Sequence, residues 1–275
     1  MFVYKNWDKF CKKLSSSITC VTANNALLDN SYAYDAIIKH DVETNVPKAL
    51  KLAEIESKYN IMATYYVQLY LLESEKNIKA LKEIQKLGHE VTYHYDVLDA
   101  NGGDWDKAIS EFNYAIKKFE DNGFKIYTVC PHGNPVMKRN GWSSNKDFFR
   151  NKDIKEIYCS ITDIVIEVNR FGENGVTYIS DAGYGWKLIS DISNNDRDKT
   201  QPDVVLNDLD SVFNLIRRNS KVIISTHPHR WYSSTFNVWL RLIFFKLLRS
   251  IVNIMTKFPF FKQILSNFYF LAKKI

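Results

Sequence analysis

The 275-residue chain is short of glycine and proline, with 10 and 6 residues, and contains no internal repeat or low-complexity tract. Those shortages exclude disordered and repeat architectures and leave a folded chain long enough for a sizeable core. No G-x-S-x-G elbow occurs, so the serine-hydrolase layout is absent. Glycine-rich phosphate loops are missing as well. Cys11, Cys20, Cys130 and Cys159 form no CxxC pair, which removes zinc knuckles and disulfide scaffolds. Met1 to Cys20 is interrupted by Lys5, Asp8, Lys9, Lys12 and Lys13 and lacks the apolar stretch of a secretory signal. A reduced, cytoplasmic protein is expected.

Acidic residues are missing from one end. From Phe236 onward there is no Asp or Glu, against seven basic residues: Arg241, Lys246, Arg249, Lys257, Lys262, Lys273 and Lys274. Of the 37 basic residues 30 then remain upstream, facing 31 acidic ones, so the net charge of +6 belongs to this tail. A nearly neutral body carries no footprint for nucleic acid, and none is expected as a partner. At about 100° per residue, Arg241, Lys246, Arg249, Asn253 and Lys257 share one side of a helix. Leu240, Ile243, Phe244, Leu247, Ile251 and Ile254 share the other, and Pro259 breaks the pattern. No uncharged apolar run reaches the roughly 18 residues of a spanning helix. Peripheral contact at the inner face of a membrane fits this pattern, and packing on the body or on a second subunit is the alternative. The chain therefore divides into residues 1–235 and a basic amphipathic tail, 236–275.

Elsewhere apolar runs alternate with helical patterns. Ala36-Ile37-Ile38 reads as a buried strand running into His40 and Asp41. A helix follows with Asn45 as cap, Pro47 in its first turn and Tyr59 near its end. Ile61 to Val67 reads as a strand, Ser74 to Leu87 as a helix closed by Gly88, and His89 to Tyr95 as a strand. Asp104 to Asn122 shows the clearest helical stripe, Ala108, Phe112, Ala115 and Phe119, closed by Gly123. Phe124 to Cys130, short β-like runs between Ile154 and Leu188, a helix over Asn207 to Arg218 and a strand over Lys221 to Thr226 complete the body. Such alternation implies parallel strands with helical crossovers, whose ligands sit beyond the carboxyl ends of the strands.

The chemically capable residues fall at those ends: Asp41 and Glu43, His94 and Asp96, His132, then His227 and His229. Singly, each is an ordinary cap or turn residue, with His40 readable as a core histidine, His89 as a turn buttress, and Asp96 and Asp99 as loop caps. Jointly, two carboxylates and two or three imidazoles suit a borderline divalent ion, Zn²⁺ first, with Mn²⁺, Fe²⁺ or Co²⁺ as alternatives. A carboxylate off the metal serves as base and a histidine across the site as acid, giving amide or ester hydrolysis without a protein nucleophile.

His40-Asp41-Val42-Glu43, Ala53-Glu54-Ile55-Glu56 and Ala63-Thr64-Tyr65-Tyr66 resemble the opening of the polysaccharide deacetylase superfamily (NodB homology, carbohydrate esterase family 4). Gly88 to His94 resembles its second motif, and Ser180 to Trp186 and Thr226 to Trp231 its later site segments. The resemblance covers roughly Ala36 to Trp231. It implies a distorted (β/α) barrel of about seven parallel strands with a metal at the C-terminal mouth. The implied activity removes N- or O-acetyl groups from sugars, here in surface polysaccharide biosynthesis. Asp41 matches the catalytic base, His94 the first metal histidine and His227 the histidine that assists the leaving group. Asp181 and Trp186 match the pocket-lining segment, with His229 and Trp231 as further substrate contacts.

Two positions depart from the pattern. The second acidic residue is Val42, so either Glu43 reaches the metal or Asp41 is itself the metal carboxylate. The second metal histidine is expected where Leu98 stands, and His132 in its Pro-His-Gly turn is the expected substitute. Two other readings of the same barrel are a non-catalytic glycan-binding scaffold and a hydrolase of another linear C–N bond. A sugar substrate calls for an open groove with aromatic platforms, for which Trp186 and Trp231 are the expectation.

Overall fold

The computed structural model describes residues 2–28, 33–134, 137–172, 175–197, 202–219 and 221–255. Its helices are α1 (Tyr4–Leu14), α2 (Ala23–Leu28), α3 (Val46–Ser57), α4 (Glu75–Lys86), α5 (Val97–Ala100), α6 (Trp105–Asp121), α7 (Asp147–Arg150), α8 (Lys152–Ile157), α9 (Leu209–Ile216) and α10 (Thr235–Met255). Its strands are β1 (Cys20–Val21), β2 (Ala36–Val42), β3 (Ala63–Val67), β4 (Glu90–Tyr95), β5 (Thr128–Pro131), β6 (Thr162–Asp163), β7 (Thr177–Ser180), β8 (Trp186–Ile189), β9 (Val204–Leu206) and β10 (Val222–Thr226).

The strands form one ten-stranded sheet in the order β6-β5-β4-β3-β2-β10-β7-β8-β9, with β1 beside β2. From β6 to β7 the seven neighbours run parallel, as the helical crossovers require. β8 and β9 then return antiparallel. The expected barrel is thus present in strand number and direction, but its hydrogen-bonded ring is not closed: β6 and β9 end the path. The interior is filled by side chains. Ile37, Tyr66, Cys130, Ile164, Tyr178 and Ile223, from strands all round the curve and from the residue just after β6, meet in one inner cluster. Ile38, Val42, Tyr65, Val67, Tyr93 and Ile224 point the other way, into a larger core against the helices. Both faces are buried, so every residue of β2, β3 and β10 is buried, the polar Lys39, His40 and Asp41 included.

Several local expectations change. Asn45 gives no side-chain cap to α3; it sits left-handed at φ 54 and turns the chain after β2, with Pro47 in the first turn of α3. Phe124 lies in the turn that closes α6 rather than in a strand, because its N–H returns to the Phe119 carbonyl at 3.0 Å, and β5 starts only at Thr128. Ile154 is helical, in α8, whose first N–H groups are capped by the Asn151 side chain. Asp104 does cap α6, accepting from the Lys107 N–H at 3.2 Å. Helix α1 fills a role that the charges of its segment hide: Trp7, Phe10, Cys11 and Leu14 form a buried stripe, with the lysines outside. In the tail, α10 continues to Met255, while Lys257, Pro259, Lys262, Lys273 and Lys274 lie outside the described residues.

Candidate functional site

Strand alternation sorts β2 into two chemistries. Lys39 and Asp41 face the barrel interior, and His40 faces the helices. There His40 Nε2 lies 2.7 Å from Glu56 Oε1, and its ring stacks on Tyr65 at 4.3 Å. Glu56 also accepts from Trp7 Nε1 at 3.0 Å and Tyr65 OH at 2.6 Å. His40 is therefore a core residue, and the site begins at Asp41. His89 is structural too: Nδ1 accepts from the Ala63 N–H, and Nε2 meets the Ala53 carbonyl, both at 3.1 Å.

At the mouth, Glu43, His94 and His132 converge, with one ligand atom from each lying within 4.8 Å of the others. His94 Nδ1 is held by the Cys130 carbonyl at 3.0 Å, which turns Nε2 toward Glu43. His132 Nε2 is 3.3 Å from Glu43 Oε1. Burial drives His94 down to about 4, against the pull of Asp41 and Glu43, so its imidazole is neutral with a lone pair available. For Glu43, burial is outweighed by the bond from His132 and the charges of His227, His132 and His229, which hold it well below the usual carboxylate range. Two imidazoles, that of His94 neutral, and an ionised carboxylate form a fitting donor set for a divalent ion with open positions.

A second group, Asp41, His94 and Cys130, has similar spacing. Lys39 settles the choice between them. Its ammonium lies 2.6 and 2.8 Å from the two Asp41 oxygens and 3.1 Å from Cys130 Sγ, so a cation already fills that group. Burial also pushes the Cys130 thiol well up, which keeps the sulfur protonated and a poor ligand. Asp41 is thus already paired with a cation of the chain itself. Burial would raise its carboxyl, but Lys39, His94 and His227 hold it at about 2.

Across the mouth, β7 and β10 run in register, which sets Asp181 beside Thr226 and His227. Asp181 accepts from His227 Nδ1 at 2.6 Å, from the His227 N–H at 3.0 Å, from Thr226 Oγ1 at 2.7 Å and from Arg230 at 2.6 Å. Burial is overcome by Arg230 and His227, and Asp181 is held far below the usual carboxylate range. Its anion fixes the His227 ring with Nε2 facing inward, 3.9 Å from Asp41 and 3.7 Å from Glu43. His229 Nδ1 lies 3.8 Å from the other Glu43 oxygen, and burial pushes its pKa down to about 3.

No family model matches the chain, and no curated protein matches it. Among solved structures it is similar to the peptidoglycan deacetylase PdaC from Bacillus subtilis, at 12% identity and a TM-score of 0.37, over 82% of this chain and 96% of that one. It is also similar to a CE4 esterase from Streptococcus mutans, at 16% identity and a TM-score of 0.39, over 77% and 93% of the two chains. At such identities the residue roles rest on the geometry of this chain alone.

The structure brings together Asp41, Glu43, His94, His132, His227, His229 and Asp181, drawn from five strand ends. It does not supply the two aromatic platforms. Trp231 is fully buried, its indole N–H on Thr226 Oγ1 at 2.9 Å and its ring against Trp7 and Phe2. Trp186 is buried against Phe2. Leu98 is turned into the core by α5, and His132 approaches Glu43 and His94 from the end of the next strand. Asp99, one residue on, is no loop cap. It accepts from Arg139, Trp142 and Asn145, and Asn145 in turn donates to the His132 carbonyl at 2.8 Å, clasping the turn that carries His132. Lys39 and this clasp escape the sequence reading, although a lysine two residues before Asp41 in an apolar strand was a usable sign.

Proposed function

We propose that the protein is a metal-dependent hydrolase that removes an acetyl group from an N- or O-acetylated sugar in surface polysaccharide biosynthesis. The observation that carries this reading is that Asp41, paired to Lys39, and the inward-facing Nε2 of His227 lie 3.9 Å apart beside the Glu43, His94 and His132 set. A binding scaffold has no need of a base and an acid held by buried counter-charges. Free thiols at Cys11, Cys20, Cys130 and Cys159 fit work in the reducing cytoplasm, with the tail against the inner membrane face.

Glu43, His94 and His132 would hold the ion. When bound there, a divalent ion, zinc by the donor types, supplies a Lewis acid that polarises an acyl carbonyl and lowers the pKa of a water. The remaining work falls to the chain. Asp41, ionised and aimed by Lys39, accepts the proton of the attacking water. His227, its ring fixed through Nδ1 by Asp181 with Nε2 facing inward, is placed to deliver a proton to the departing amine or alkoxide. His229 and the Glu43 side of the mouth border the acyl group.

The burial of Trp186 and Trp231 favours a second reading, in which the substrate is a small linear C–N compound rather than a glycan. One experiment separates the readings: metal analysis of the purified protein, with acetate release measured on nucleotide-linked and lipid-linked N-acetyl and O-acetyl sugars. Stoichiometric metal with release that Asp41→Asn abolishes is the expected result. Metal without acetate release points to the small-substrate reading, and absence of both overturns the enzyme.

A further inference from the structure

At its start helix α10 turns few described side chains toward the barrel. Over its first turns Val238 is buried and Leu242 half-buried, while Phe236, Trp239, Leu240, Ile243 and Phe244 are 63, 53, 45, 38 and 47% exposed. Those five positions form an i, i+3, i+4, i+7, i+8 series, a single helical stripe. The stripe faces away from the barrel, and Val238 marks the opposite side. Phe236 and Trp239 stack on each other at 6.3 Å, so the apolar surface is continuous. A contiguous stripe of this kind marks an interaction surface.

Charge selects the occupant. From Phe236 on, seven basic residues face no acidic one, and Arg241 is exposed on the same helix. A second copy of this stretch would set cation against cation, whereas an anionic bilayer offers an apolar layer beneath negative headgroups. No helix among the described residues is long and apolar enough to cross a membrane. The start of α10 is also tied to the site. Tyr232, between His229 and the helix, pairs with Val3 and takes Lys48 Nζ over its ring at 3.3 Å, and the same Nζ holds the His229 carbonyl at 2.8 Å.

We propose that α10 lies in the plane of an anionic bilayer with its apolar stripe inserted, holding the mouth of the site at the headgroups, where the acetylated sugar arrives on a lipid phosphate. The docking stands on the helix alone; the identity of the substrate carrier rests on the deacetylase reading. The test is co-sedimentation of the full chain with vesicles of phosphatidylcholine, with and without phosphatidylglycerol. Wild type is compared with Phe236→Glu/Trp239→Glu/Phe244→Glu, whose positions are all exposed. Wild type should sediment with the anionic vesicles in a salt-sensitive way. The variant should partition at least tenfold less, with unchanged circular dichroism and metal content. Wild type left in the supernatant overturns the docking, as does a lipid-free dimer that the variant converts to monomer. In the same vesicles, the variant should lose acetate release from a lipid-linked N-acetyl sugar but keep it on a water-soluble one. Equal loss on both overturns the lipid-carried substrate, and vesicle binding by a wild type that releases no acetate overturns the deacetylase reading alone.

Discussion

Lys39 is the residue whose removal tests the electrostatics of the site most directly. Lys39→Met keeps the unbranched stem inside the barrel and deletes the ammonium that binds both Asp41 oxygens. The Asp41 anion is then buried without its main counter-charge, a situation that typically costs about 3–5 kcal/mol. Protonation caps the cost. A carboxyl of ordinary pKa, about 3.9, takes up a proton at pH 7 for roughly 4 kcal/mol, and at pH 5 for about 1.5. In wild type the Asp41 pKa is depressed to about 2, so its contribution is present above the unfolded value and lost as pH falls toward 2. In the variant burial raises that pKa, and stability is lost as pH rises instead. The destabilisation by Lys39→Met should therefore be about 2–4 kcal/mol at pH 7, allowing for the desolvation that lysine no longer suffers, and shrink to about 1 at pH 5. Urea unfolding of metal-free protein at the two pH values measures it, and Lys39→Met/Asp41→Asn should recover most of the loss. A Lys39→Met cost under about 1 kcal/mol at pH 7, or one independent of pH, refutes the reasoning.

His132→Ala removes one of the three converging donors, and metal affinity measured by calorimetry should fall by at least about 100-fold; undiminished metal content would sink its assignment as a ligand. Asp181→Asn keeps the shape but not the charge behind His227, so kcat should drop about 10- to 100-fold with KM nearly unchanged; a change confined to KM would mean that His227 only binds substrate. Asp163 is raised by burial to about 6, despite bonds from Tyr95 and the Val165 and Ile166 N–H groups. Its folded pKa lies above the unfolded one, so stability is full below about 4 and declines as pH rises through 6. Asp163→Asn should accordingly be about 1–3 kcal/mol more stable than wild type at pH 8 and no more stable below pH 4, checked by thermal melts across that range.

Periodicity and composition determined much of this protein. The buried run of β2, the α6 stripe with its Asp104 cap and Gly123 close, and the order of strand and helix follow from local patterns, because each depends on residues a turn or a pleat apart. So does the placement of Asp41, Glu43, His94, His132 and His227 at strand ends, since parallel strands with helical crossovers leave few other places for polar side chains. The tail's charge asymmetry was equally plain. Only the tertiary structure decided which of these residues share a cavity. Lys39 and Cys130 are 91 positions apart and meet at 3.1 Å because β2 and β5 curve round one interior. His40 and Asp41 are adjacent yet serve the core and the site, because successive strand residues point to opposite faces. Trp186 and Trp231 look like sugar platforms in sequence and become core once α1 and Phe2 cover them. Contacts between distant segments depend on how the sheet curls and what packs over it, and no local pattern encodes that.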